Sequence, residues 1–178
     1  MNLLYDTFDS PIGALTVAGD SQAIHHILFE NNRYDAKGRA QWQRDANAMR
    51  EARTQLLQYL RGERNGFALP LAPHGTAFQL RVWKALADIP FGETWSYVRL
   101  ARHIGHPTAS RAVGAANGRN PLPIVLPCHR VIGSSGALTG FGGGLETKAA
   151  LLELESRTQP LFASPCHWLS SLRHCGEL

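Results

Sequence analysis

The sequence predicts an α+β protein: a small N-terminal α/β domain of sheet plus helix, then a mostly helical domain carrying a helix-turn-helix and a candidate active-site cysteine segment. Three observations predict it. Apolar runs of strand length, broken by turn residues, fill residues 3–29. Stretches of helical periodicity follow one another between residues 76 and 117. A short apolar run then ends in Pro127-Cys128-His129-Arg130.

The 178 residues suffice for one or two small domains with a real hydrophobic core. Hydrophobic residues make up 44% and charged residues 18%, and no run approaches the length of a membrane span. Met1 to Asp9 carries acidic residues and no basic region followed by an apolar one, so no signal peptide is expected. The cysteines are Cys128, Cys166 and Cys175, an odd and sparse set that argues against a disulfide framework and for a reducing, cytoplasmic location. Net charge is +4, and its position is more informative than its size. Residues 1–75 are balanced, whereas residues 76–132 hold seven Lys/Arg (Arg81, Lys84, Arg99, Arg102, Arg111, Arg119, Arg130) against Asp88 and Glu93. Such a segment suits a polyanion, although a solvated basic face gives the same count.

Leu3–Phe8, Ala14–Ala18 and Ala23–Phe29 read as strands, separated by Ser10-Pro11-Ile12-Gly13 and Gly19-Asp20. Met49, Ala52, Leu56, Leu57 and Leu60 share a helical face, with Gly62 just past its end. Residues 1–65 thus form the first domain, and residues 66–75, with Pro70, Pro73 and Gly75, form a linker. Thr76-Ala77-Phe78-Gln79 fits a capping box, and Phe78, Val82, Trp83 and Leu86 continue at helical spacing until Ile89-Pro90-Phe91-Gly92. A second helix starts at Ser96, runs through Val98, Leu100, Ala101 and Ile104, and is capped by Gly105. Pro107 is expected to open a third helix through about Ala116, closed by Asn117-Gly118, which makes the pair a helix-turn-helix candidate.

That third helix is lined with small residues, Ala109, Ser110, Ala112, Gly114, Ala115 and Ala116, and only Arg111 is long. Small side chains let a backbone approach another surface closely, whether a ligand or a neighbouring helix. Arg111 argues against complete burial, because a charge is rarely buried without a partner. After it, Ile124-Val125-Leu126 reads as a buried extended segment ended by Pro127. Cys128 follows, adjacent to His129. A thiol is a strong nucleophile only as thiolate, which a base or positive field favours, and the imidazole could reach the sulfur through a bound water. On residue type alone, an inert core thiol is the competing reading.

Pro127-Cys128-His129-Arg130-Val131, preceded by Asn120-Pro121 and Arg111-Ala112-Val113-Gly114, resembles the O6-alkylguanine-DNA alkyltransferases, the methylated-DNA–protein-cysteine methyltransferases. The likeness runs in order and at matching spacing from about Phe78 through Ile89–Thr94 and Ser96-Tyr97 to Gly142-Gly143-Gly144 and Glu155, nearly half the chain. It implies a DNA-binding and alkyl-transfer domain over residues 76–155, followed by a tail over 156–178.

The resemblance implies direct-reversal repair of O6-alkylguanine, and also of O4-alkylthymine, in double-stranded DNA bound through the minor groove by a monomer. Cys128 would accept the alkyl group once and irreversibly, His129 would act as its base through a water, and Glu155 would orient the imidazole. Asn120 would hold the turn between the recognition helix and the active-site segment. Arg111 would fill the gap left by the flipped nucleotide, and Ala112, Gly114 and Ala115 would lie against the groove. Tyr97 would crowd the phosphate, donate to the guanine edge and stabilise charge on the departing oxygen. The carbonyls of Cys128 and Val131, the aromatic wall of Phe141 and the backbone near Gly142 would line the base pocket. Flipping is required because the O6 substituent is inaccessible within a stacked duplex.

No cofactor is implied, since the thiolate takes the group directly. Phe141 stands where many relatives carry tyrosine. No zinc site is expected: residues 1–65 contain no cysteine, and Cys166-His167 with His174-Cys175 match no standard ligand spacing. Three other readings compete. A non-catalytic sensor of alkylated DNA is opposed by the presence of Cys128. A helix-turn-helix regulator leaves Pro-Cys-His-Arg unexplained, and a cysteine hydrolase leaves Arg111 and the small-residue helix unexplained.

Overall fold

The computed structural model describes residues 3–32 and 36–158. Alternating apolar residues and tight turns at the start give three antiparallel strands, β1 (Leu4–Phe8), β2 (Leu15–Gly19) and β3 (Ile24–Phe29). Every residue of β2 is buried, as suits a strand with neighbours on both sides. A fourth strand, β4 (Gln43–Arg44), joins the free edge of β1 in parallel, giving the order β3-β2-β1-β4. Its two residues are polar and exposed, so no hydrophobic pattern marks it in the sequence. Its backbone ties it down, Gln43 donating to the Leu3 carbonyl at 2.9 Å and Asp45 to the Tyr5 carbonyl at 2.8 Å, while buried Asp6 on β1 lies 3.7 Å from Arg44 and 2.7 Å from Arg53 further along the chain.

Helix α1 (Arg50–Leu60) buries Ala52, Leu56 and Leu60 as expected, together with Gln55 and Tyr59, whereas Leu57 is half-buried. Gly62 ends it at φ 74°, a left-handed conformation that costs glycine little. The 66–75 connector is not free chain. Ile24 donates to the Pro70 carbonyl at 2.9 Å, and Ala72 donates back to Ile24 at 2.9 Å, so the connector extends the sheet beyond β3. The amide of Gln55 grips Ala68 from the other side, accepting from its N–H at 2.8 Å.

The second half begins with α2 (Ala77–Leu86), and Thr76 and Gln79 form the expected capping box. Strand β5 (Trp95–Ser96) leads into α3 (Tyr97–His103), whose N-cap Ser96 accepts from the Arg99 N–H at 3.1 Å. Gly105 closes α3 at φ 78°. Helix α4 spans Ser110–Asn117, not Pro107 onward. His106 to Ala109 instead forms a turn closed by the Ala109 N–H on the His106 carbonyl at 2.9 Å, and that turn consumes the first residues of the expected helix. Helix α4 packs on both α2 and α3, completing the helix-turn-helix.

The expectation of an extended Ile124–Leu126 is wrong. These residues form a tight turn closed by the Leu126 N–H on the Leu122 carbonyl at 2.9 Å. Ile124 is fully buried at φ 74°, a conformation that costs a β-branched residue about 1–3 kcal/mol and persists only where its surroundings impose it. Cys128–Arg130 then make one 3-10 turn, and β6 (Val131–Ile132) pairs in parallel with β5, setting Trp95 opposite Val131. A last helix, α5 (Leu145–Thr158), carries Lys148, Leu151 and Glu155 on its buried face and extends past the expected start of the tail. One buried cluster runs from Val17 and Leu56 through Trp83 and Leu86 to Val113 and Cys128, so the two halves share a core. Cys166, His167, His174 and Cys175 lie outside the described residues.

Candidate active site

Cys128 sits at the start of the 3-10 turn with 3% of its surface exposed. Its N–H donates to Leu126 at 2.7 Å, and its carbonyl accepts from Asn117 Nδ2 at 3.3 Å. Asn120 clamps the turn that delivers it: its Oδ1 accepts from the Leu122 N–H at 3.0 Å and its Nδ2 donates to the Leu126 carbonyl at 2.7 Å. Burial pushes the thiol up to about 11, opposed by hydrogen bonding from Asn120, by the Lys148 ammonium and by backbone amides. The resting sulfur is therefore a protonated thiol that needs a base.

His129 is fully buried, and its Nε2 lies 2.7 Å from Glu155 Oε1. Because an ionised carboxylate can only accept, Nε2 carries the proton and Nδ1 is left as an acceptor. That Nδ1 is buried without a protein partner, which is the arrangement a bridging water requires. Burial lowers the His129 pKa and keeps the imidazole neutral, while Glu155 acts in the opposite direction and is what favours its taking a proton.

Glu155 is the hub. Burial alone raises its pKa, but hydrogen bonds from His129 and Arg130, with help from Tyr59, outweigh burial and hold it at about 2. Arg130 donates Nε to Oε2 at 2.9 Å and Nη2 to Oε1 at 3.0 Å, while its Nη1 reaches the Ile89 carbonyl at 2.6 Å. The Gly92 N–H donates to Oε2 at 2.8 Å, and the Tyr59 hydroxyl donates to Oε1. Lys148 is also buried, donating to the carbonyls of Val131 at 2.6 Å and Thr139 at 2.8 Å. Burial lowers it to about 8, and negative charge on the Cys128 sulfur would oppose this.

Two hollows adjoin these groups. A cavity of about 410 Å³ is bounded by Cys128, Asn117, Asn120, Pro123 and Gly142, with His26 and Asn32 of the N-terminal domain opposite. A more open one lies among Tyr97, Ser110, Arg111, Gly114 and Thr139 on the helix-turn-helix side. Tyr97 is half-buried and donates to the Thr139 carbonyl at 3.1 Å. Arg111, Ala112 and Ala115 lie on the exposed face of α4, while Val113, Ala116 and Asn117 face the core. The small-residue stripe is therefore divided between packing and an open surface of little relief.

Phe141 is buried and tilts against Phe29 at 5.4 Å between centroids. A Cβ on Gly143 would lie 2.6 Å from the Phe29 ring. Gly143→Ala is expected to destabilise the fold by about 1–3 kcal/mol, measured as a lowered urea midpoint with unchanged slope. An unchanged midpoint would show that Phe29 yields freely.

Of the residues expected in the site, Cys128, His129, Glu155, Asn120, Val131 and Gly142 converge, with Phe141 against the N-terminal sheet. Tyr97 stands over the second hollow with Gly114 and Arg111. Sequence reasoning missed Tyr59, Asn117, Lys148 and the part played by Arg130. Lys148 could have been found, since Lys148, Leu151 and Glu155 fall on one face of a helix at 3.6 residues per turn. Tyr59 carries no such signal, because only the tertiary fold brings it to Glu155. Among the described residues no cluster of three or more His, Cys, Asp or Glu side chains could hold a metal, and no helix is long and apolar enough to cross a membrane.

A buried thiol next in the chain to a Glu-supported imidazole, together with an exposed helix-turn-helix, is the combination expected of a DNA-associated protein with a nucleophilic cysteine. Two family models match: the 6-O-methylguanine DNA methyltransferase DNA-binding domain over residues 77–157, and the ribonuclease-like domain of the same proteins over residues 3–73. The methylated-DNA–protein-cysteine methyltransferase of Mycobacterium tuberculosis is 51% identical over 156 residues, covering 88% of this chain and 94% of the relative. That of Methanosarcina acetivorans is 46% identical over 153 residues, covering 86% and 98%. Among solved structures, Mycobacterium tuberculosis OGT in complex with DNA superposes with a TM-score of 0.83 at 49% identity, covering 89% of this chain and 96% of that one. The chain belongs to the 6-O-methylguanine DNA methyltransferase family.

Proposed function

We propose that this protein repairs alkylated DNA by direct reversal, moving an alkyl group from the O6 of guanine to the sulfur of Cys128. The observation that carries this reading is the buried Cys128 thiol in a family whose relatives are named for a protein cysteine as methyl acceptor. The thiol proton passes through a water to His129 Nδ1, and the imidazolium is stabilised by Glu155. The thiolate attacks the alkyl carbon in line. A carbon–sulfur bond forms while the O6–carbon bond breaks, with its electron pair leaving on O6. On this reading Tyr97 donates to that oxygen, its hydroxyl leaving the Thr139 carbonyl, and guanine is restored when the proton taken up by His129 is returned to it. The product is a thioether that thiol exchange cannot reverse, so each molecule acts once.

The substrate is double-stranded DNA approached through the minor groove by a monomer, with the damaged base turned out of the stack. The exposed small face of α4 supports close approach, and on this reading Arg111, exposed near its start, occupies the vacated position. O4-alkylthymine is a second substrate on this reading. The domain assignment is 1–65, a connector over 66–75, 76–155 for DNA binding and transfer, and a tail over 156–178. No cofactor enters the chemistry, and the cytoplasm or nucleoid is the site of action.

Intact-protein mass after reaction with O6-methylguanine DNA tests the whole: a gain of one methyl group per molecule is expected, and turnover without mass gain would overturn the reading. Arg111→Ala is expected to slow repair in duplex DNA about 10-fold or more, because flipping costs a few kcal/mol that Arg111 offsets. Reaction with free O6-benzylguanine should be nearly unchanged. Equal losses on both substrates would remove Arg111 from flipping.

A further inference from the structure

A side chain of the N-terminal domain reaches the relay. Tyr59, on the buried face of α1, donates its hydroxyl to Glu155 Oε1, and the hydroxyl oxygen also lies 3.4 Å from His129 Nε2. Its ring is fixed by Phe67 at 5.1 Å and by Phe91 edge-on at 6.1 Å, and 1% of the residue is exposed. The hydroxyl has no access to water and is aimed at one carboxylate oxygen. That oxygen also accepts from His129 Nε2 at 2.7 Å and from Arg130 Nη2 at 3.0 Å. Arg130 Nε reaches it as well, at 3.1 Å, so Oε1 serves four donor atoms from three residues, each taking a share of its charge.

We propose that Tyr59 is a positioning residue for alkyl transfer, its hydroxyl competing with His129 for Glu155 Oε1 and thereby setting how readily the imidazole takes the thiol proton. This rests on the Cys128–water–His129 reading above. The charged or titratable groups around the imidazole are Cys128, Arg130, Lys148 and Glu155, besides Tyr59 itself. Burial and the Glu155 charge raise the pKa of the Tyr59 hydroxyl, so it remains a donor throughout the working range. Removing the hydroxyl leaves Oε1 more negative toward Nε2, and a more negative partner stabilises imidazolium. A larger share of His129 is then already protonated as the pH falls, and that share cannot accept the thiol proton.

The test compares Tyr59→Phe with the unaltered full chain, reacting each with O6-benzylguanine between pH 4.5 and 8.5 and normalising rates to folded protein. The ratio of variant to parent rate is expected to decline as pH falls, reaching about 3–10-fold loss below the acid limb, for a limb raised by about 0.5–1 pH unit. A ratio that is the same at every pH, whether near one or uniformly reduced, overturns the proposal, because a merely structural role lowers all rates alike. Should Tyr59→Phe fail to fold, 3-fluorotyrosine placed at position 59 keeps the shape and strengthens the donor. Its ratio is expected to rise as pH falls, and a flat ratio again overturns the proposal. If the unaltered protein gains no alkyl mass at Cys128, it is the transfer reading that fails, not the role of Tyr59.

Discussion

Cys128→Ser is expected to abolish alkyl transfer while leaving the fold in place. Serine fills nearly the same volume, its hydroxyl can keep the hydrogen bond that Asn120 makes with the thiol, and the backbone of residue 128 stays bonded to Leu126 and Asn117. A hydroxyl is far harder to deprotonate than even this buried thiol and is a weaker nucleophile toward carbon. The loss should be on the order of 10⁴-fold or more, beyond the reach of a standard assay. DNA binding should survive, since α4 and its exposed Arg111 are untouched. Labelled O6-methylguanine DNA checks this directly: label retained on DNA and absent from protein is the expected result. Transfer to another residue at an appreciable rate would move the acceptor away from Cys128.

Glu155→Ala is expected to have the second-largest effect, and it acts on stability and rate together. Removing the carboxylate leaves the Arg130 guanidinium buried without its counter-charge, with Tyr59 and the Gly92 N–H losing their acceptor. Breaking one side of a buried ion pair costs about 3–5 kcal/mol, which is a large part of the stability of a domain this size. The same change frees His129 to adopt either tautomer, so transfer per folded molecule should fall about 10²-fold or more. Glu155→Gln keeps the shape and separates the two effects, retaining more stability than activity. Thermal unfolding beside single-turnover kinetics checks both, and a variant that keeps its melting temperature would mean that Arg130 finds another partner.

The same carboxylate sets an acid limit. Its pKa is about 2 in the folded protein against 4.5 ordinarily, so the folded state binds this proton more weakly than the unfolded chain. The corresponding stabilisation, on the order of 3 kcal/mol, is fully present above pH 4.5 and is lost as pH falls toward 2.

Much of this was legible in the sequence because it is local. The strands of residues 3–29, the capping box at Thr76, the N-cap at Ser96 and the glycine ends at Gly62 and Gly105 follow from residue spacing and backbone preference. The extended reading of Ile124–Leu126 failed because apolar, β-branched residues signal burial and say little about the turn needed to achieve it. The Pro107 start of α4 failed because proline fits a turn as readily as a helix N-terminus. Strand β4 was invisible because two polar residues carry no pattern.

Cys128 and His129, and through the resemblance Glu155 and Asn120, could be singled out as candidates from the chain alone, since a chemical motif is written in residue identity and order. Only the tertiary structure decided what makes them a site. It turned Ile124 left-handed to deliver a buried thiol, left His129 Nδ1 open, and gathered Arg130, Gly92 and Tyr59 on one carboxylate. Tyr59 and Glu155 are 96 residues apart, and no local rule couples them. They meet because the apolar face of α1 and the buried face of α5 share one core, and a charge buried there has to find its donors wherever the fold supplies them.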